Sequence, residues 1–116
     1  MKDYEHKIQV TICQYLDLLG ICYWAVPNGG QRNKAVAAKL KREGAKAGVP
    51  DLTVIHKGQY YGIEVKTPKT AQTKKGKLSD SQKRMIPIIE RHGGIVGVVY
   101  GVPDVKQFLT EQGIIK

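Results

Sequence analysis

The sequence predicts an α/β fold, a four-stranded mixed sheet flanked by helices. Three observations lead there. Stretches of helical periodicity alternate with short runs rich in Val, Ile and Tyr, in the order α-β-α-β-β-α-β-α. Two of the short runs flank Lys57-Gly58, a pair suited to a tight hairpin turn. The 116 residues fit one domain, 1–116, with enough core to fold and little room for a second.

Residues Asp3 to Leu19 form the first expected helix, with Ile8, Ile12, Leu16 and Leu19 as its apolar stripe and Gly20 as its stop. Ile21 to Val26 is a short strand. Pro27-Asn28-Gly29-Gly30 follows as a turn, since it lacks the Gly-Lys-Ser/Thr ending of a phosphate-cradling loop. Gln31 to Arg42 is a basic helix ending near Gly44. Asp51 to Ile55 and Tyr60 to Lys66 make the hairpin. Thr67 to Lys77, rich in Lys and Thr, is a loop expected to be mobile without a partner. Ser79 opens a helix running to about His92, in which Pro87 should kink the axis or cost a hydrogen bond. Gly93-Gly94 ends it, Ile95 to Tyr100 is an apolar buried strand, and Pro103 to Gln112 is a last short helix.

Charge gives the first hint of a partner. The formal net charge is +9, and between Leu18 and Ser79 twelve Lys or Arg residues face only three acids, Glu43, Asp51 and Glu64. Such a field favours a polyanion, nucleic acid above all, although a basic surface kept for solubility has the same composition. Cys13 and Cys22 have no partners at zinc-ligand spacing and read as small buried hydrophobes; His6, His56 and His92 are scattered. No apolar run approaches the length of a membrane span and the N-terminus lacks a secretory pattern, so no membrane partner and a cytoplasmic location are expected.

The hairpin concentrates the chemistry. Along its second strand Tyr61, Ile63 and Val65 take one face, and Gly62, Glu64 and Lys66 the other. Leu52 and Val54 match the apolar face, leaving Asp51 and Thr53 on the polar one. With Lys57-Gly58 at the turn, His56 pairs with Gln59 and Asp51 falls opposite Glu64. Facing carboxylates repel and weaken a ladder, an arrangement worth keeping where a cation sits between them. Oxygen-only ligands suit a hard ion such as Mg2+ or Mn2+. Lys66, two residues on, projects toward the same place, beside any water or phosphate held there.

Pro50-Asp51, twelve intervening residues, then Glu64-Val65-Lys66 resembles the PD-(D/E)xK nuclease signature. The longer run Gly48-Val49-Pro50-Asp51-Leu52, with Lys46 before it and Leu78-Ser79-x-x-Gln82 after it, resembles the VRR-NUC (virus-type replication-repair nuclease) branch, from Glu5 to Tyr100. The resemblance implies a restriction-endonuclease-like fold and Mg2+- or Mn2+-dependent hydrolysis of DNA phosphodiesters. It makes Asp51 and Glu64 metal ligands, the Val65 carbonyl a third, and Lys66 the catalytic lysine. Single-domain members are often viral or prophage-encoded, and the likeness extends to Holliday-junction resolvases, implying a homodimer acting on branched DNA. The chain holds its own control: Gly101-Val102-Pro103-Asp104 repeats the first half of the signature without an acid-x-Lys strand behind it, and reads as a helix start.

Glu5 continues the stripe of Ile8, Ile12 and Leu16 at the helix start. Either it is an exposed first-turn acid favoured by the helix dipole, or it points into the site, as the first-helix glutamate of the family does as a metal ligand. Gln82 has two readings as well. With Ser79 it makes a capping box, yet it also shares a stripe with Ile86 and Ile89, where family members place a glutamine beside the catalytic lysine. Lys46 is a phosphate contact or an ordinary surface lysine. Arg32, Lys69, Lys74 and Lys75 are candidates for backbone contacts to nucleic acid, and Trp24, Tyr60 and Tyr61 for packing. The expectation is a structure-selective endonuclease. A non-catalytic nucleic-acid-binding module on the same scaffold would need the lysines but not Asp51 opposite Glu64. A protein-interaction domain would need neither.

Overall fold

In the computed structural model, which describes residues 2–27 and 33–116, the chain forms eight elements in the expected order. They are α1 (Lys2–Leu18), β1 (Cys22–Ala25), α2 (Lys34–Arg42), β2 (Leu52–His56), β3 (Gln59–Val65), α3 (Asp80–Arg91), β4 (Ile95–Val99) and α4 (Val102–Glu111). The sheet runs β1-β2-β3-β4, antiparallel across the first two pairs and parallel between β3 and β4. It is a four-stranded mixed sheet flanked by helices, as expected. The parallel step follows from α3, which returns the chain to the starting end of the sheet.

One tight turn sets the register. Lys57 and Gly58 both have positive φ, 51° and 82°, the geometry that matches the twist of a two-residue hairpin. His56 therefore pairs with Gln59 and Leu52 with Ile63; the same register carried one step further sets Asp51 opposite Glu64, and the Asp51 carboxylate acts on that glutamate. Leu52, Val54, Tyr61, Ile63 and Val65 are buried with Ile12 and Leu16 of α1 and Val105, Phe108 and Leu109 of α4. Tyr61 meets Phe108 edge-on at 6.2 Å, and the bare backbone of Gly97 lies under the Phe108 ring.

Several expectations fail at the margins. α1 stops at Leu18, so Leu19 lies past the end of the stripe and is 40% exposed. β1 is an edge strand with only Tyr23 half-buried; Cys22 and Trp24 point outward, contrary to their assignment as buried thiol and packing ring. β4 is the other edge, and only Val99 along it is fully buried. α2 begins at Lys34 because the Asn33 side chain accepts the Val36 N–H at 2.8 Å and caps the helix; the Gln31 and Arg32 positions lie outside the described residues. α3 passes through Pro87 to Arg91. Among the described residues no helix is long and apolar enough to cross a membrane.

Thr67 to Lys77 is an organised loop rather than a structureless one. The Gly76 N–H donates to the Thr67 carbonyl at 2.8 Å and closes its base, and Thr70, Thr73 and Pro68 bond to one another within it.

Gly48 fixes how β2 is approached. Its φ of +87° disfavours any side chain, and a Cβ there would lie 2.3 Å from the Ser81 carbonyl oxygen. Gly48→Ala should therefore cost about 2 kcal/mol or more. Denaturant unfolding checks this; a midpoint unchanged from wild type would mean that the loop and α3 move apart freely.

Candidate active site

The polar face of the hairpin is covered, which its alternating pattern did not announce. Thr53, Gly62 and Glu64 are all buried. A Cβ at Gly62 would collide with Pro50 at 2.6 Å and with the Tyr60 hydroxyl, so Gly62 admits the Pro50 ring beside the acid pair. Pro50, itself fully buried, thereby fixes the chain entering Asp51.

Glu64 is the unusual group. It is 2% exposed, and its Oε1 is buried without a hydrogen-bond partner. Its Oε2 accepts from Gln82 Nε2 at 2.7 Å and lies 3.6 Å from Lys66 Nζ. Burial raises its pKa first, and the Asp51 carboxylate raises it further by repulsion and by bonding to the protonated form. Glu5 adds to this and Lys66 opposes it, leaving the carboxyl pushed up to about 8. Such a group holds a proton at neutral pH unless another cation takes the proton's place.

Asp51 is held differently. One of its oxygens, Oδ2, accepts the Val65 N–H at 2.8 Å, so backbone orients it across the ladder. Nothing in the sequence pattern signals this bond. Glu5, half-buried in the first turns of α1, reaches the same end of the sheet: its carboxyl is raised by burial and by Asp51, and lowered by Lys66. The charges of Asp51 and Lys66 therefore act on Glu5.

Gln82 fills both of its expected roles at once. Its Oε1 accepts the Ser79 N–H at 2.8 Å and the Ser79 hydroxyl accepts the Gln82 N–H, completing the capping box. Its amide nitrogen remains free to donate to Glu64. The cap fixes the side chain that fixes the acid. Behind Lys66, the loop closes so tightly that a Cβ on Gly76 would lie 3.2 Å from the Lys66 Cβ. Gly76, which no sequence signal singles out, backs the base of the lysine.

The donor chemistry fits a divalent cation: facing carboxylates, one buried oxygen without a partner, and an amine alongside. Among the described residues no group of three or more His, Cys, Asp or Glu forms a ready-made cage. A cation here would rest on Asp51, Glu64 and a backbone carbonyl such as that of Val65, with water completing the shell and Glu5 behind it. Few protein ligands and several waters suit Mg2+ or Mn2+.

The basic candidates are dispersed around this centre. Lys46 is exposed on the rim of a groove that Gln82 also lines. Lys69, Lys74 and Lys75 ring a smaller hollow of about 340 Å3 formed by their own loop, and the Lys75 ammonium sits 4.8 Å over the Tyr100 ring. Arg32 lies outside the described residues.

The raised Glu64 pKa has a consequence for the metal-free protein. Between the ordinary 4.5 and about 8 the unfolded chain has released this proton while the folded chain retains it, so stability falls as pH rises through that window. Thermal melts in chelator should show the decline, and Glu64→Gln should flatten it. A wild-type melting temperature constant across the window would contradict the assignment.

Comparison with known proteins bears on the family and the fold. The VRR-NUC domain family matches residues 3–103. A solved structure described as a VRR_NUC domain protein superposes with a TM-score of 0.63 at 22% identity, covering 93% of this chain and 86% of the other; at that identity the likeness speaks for the fold. No curated protein matches the sequence significantly.

Proposed function

The chain belongs to the VRR-NUC domain family, a nuclease-type family, and on that premise we propose that it is a Mg2+- or Mn2+-dependent endonuclease hydrolysing DNA phosphodiester bonds. One observation carries the reading. A protein that buries Glu64 against Asp51 and leaves Oε1 unpartnered keeps a carboxyl that burial and its neighbour hold protonated, a cost that a bound dication taking the proton's place would offset.

Asp51 and Glu64 would hold the ion, with the Val65 carbonyl as a third ligand and Glu5 reaching it through water. The ion would supply Lewis-acid polarisation of the phosphoryl oxygen and a lowered pKa for the attacking water. Lys66 orients that water and sets its positive charge against the negative charge that builds on the phosphate oxygens. Gln82 keeps Glu64 turned toward the ion. Lys46, Lys69, Lys74, Lys75 and Arg32 contribute phosphate contacts, which position DNA without reading its sequence. We read the substrate as branched DNA and the working unit as a homodimer, on the resemblance to junction resolvases.

The test is cleavage of end-labelled linear, flap and four-way-junction DNA, with and without Mg2+ or Mn2+. Metal-dependent internal cuts, preferentially near the branch, are expected. DNA binding that weakens with salt but never leads to a cut would instead favour the non-catalytic binding module.

A further inference from the structure

A groove of about 870 Å3 lies between α2, the end of β1 and the start of α3. α2 has no buried residue, and Ala37 and Leu40 line one wall of the groove instead of entering the core. The opposite wall is Gly48 and the first turn of α3, held together by the close backbone approach of Gly48 to Ser81. The lining is mostly aliphatic. It contains two lysines, Lys41 and Lys46, and no acid, and among the described residues neither lysine has a carboxylate partner.

The groove adjoins the acid pair. Gln82 is among its lining residues, and its Nε2 donates to Glu64 Oε2 at 2.7 Å, so one residue belongs to both the groove and the site. Its volume lies in the range of roughly 300–1,000 Å3 typical of pockets for small organic ligands, too small for a duplex. What fits is a flat, largely apolar body on a negatively charged chain.

We propose that this groove takes an unpaired nucleotide of the substrate next to the scissile phosphate, its base against Ala37 and Leu40 and its flanking phosphates on Lys41 and Lys46. The assignment rests on the nuclease reading and narrows it to substrates with an unpaired nucleotide beside the cut. Two features choose this occupant over a hydrophobic segment of a second protein chain: the rim charge complements phosphate, and the groove shares Gln82 with the proposed reaction centre.

The test compares Ala37→Glu, which places a carboxylate on the groove wall, with Gln107→Glu, the same charge change on exposed α4. Fluorescence anisotropy in Ca2+ without turnover measures affinity for a labelled dT oligonucleotide and for blunt duplex DNA. Ala37→Glu should weaken oligonucleotide binding roughly tenfold, within the range for losing one seated base. Its effect on the duplex, and both effects of Gln107→Glu, should stay within about twofold, as expected of one added surface charge. Three results overturn the proposal: equal losses in both variants, a duplex loss as large as the oligonucleotide loss, or no wild-type binding of the oligonucleotide. A change in sedimentation caused by Ala37→Glu would assign the groove to a second copy of the chain and overturn it also. Failure of the nuclease reading shows separately, as absence of wild-type cleavage in Mg2+ or Mn2+.

Discussion

Lys66→Ala is expected to lower the single-turnover rate of DNA cleavage by roughly a hundred- to a thousandfold, the usual loss when one preorganised group facing transition-state charge is removed. The Lys66 side chain is only 13% exposed and its amine stands 3.6 Å from Glu64 Oε2. Its charge is therefore little screened, and the Gly76 backbone packs closely against the base of its side chain. DNA affinity measured in Ca2+ should change little, because one phosphate contact among many is lost. The same substitution removes the influence that lowers the Glu64 pKa, so residual activity should shift toward higher pH. A purified Lys66→Ala protein with full activity would refute the catalytic role of the lysine.

The second large effect concerns stability. A divalent ion that binds only the folded site adds stability by mass action; at ten times its dissociation constant the gain is about 1.4 kcal/mol. For a domain of this size that is a rise of roughly 4–8 °C in melting temperature. Millimolar Mn2+ or Mg2+ should produce it in the wild type and not in Glu64→Gln. The variant should also be the more stable protein without metal, because the amide is neutral from the start, whereas folding the wild type at neutral pH requires Glu64 to take up a proton. Stability gained without metal and lost with it is hard to explain for a carboxylate that only packs. If Glu64→Gln keeps the wild-type response to Mn2+, the ion binds elsewhere.

The centre of the site could be read by counting. The hairpin was legible because Lys57-Gly58 suits a tight turn, and that turn sets the register from which Asp51 falls opposite Glu64. Depth was not legible. Strict alternation along β3 suggests one wet face, but Pro50 packs against Gly62 and Gln82 bonds to Glu64 from other segments, and Glu64 is only 2% exposed. Local periodicity cannot report a lid that comes from elsewhere in the chain. Edges misled in the opposite direction. Trp24 and Cys22 look like packing residues, and the run from Ile95 to Tyr100 looks like a buried strand, yet among the described residues β1 and β4 are the two ends of the sheet. For Gln82, either expectation alone was incomplete. An amide has a donor end and an acceptor end, and here the cap uses one while Glu64 uses the other.

Placing the ion tests the account most directly. In crystals soaked in Mn2+, anomalous scattering should show a peak between the two facing carboxylates, about 2.1 Å from an oxygen of each, with the amine of Lys66 beyond it. A peak on other residues, or none there at saturating Mn2+, would contradict the account.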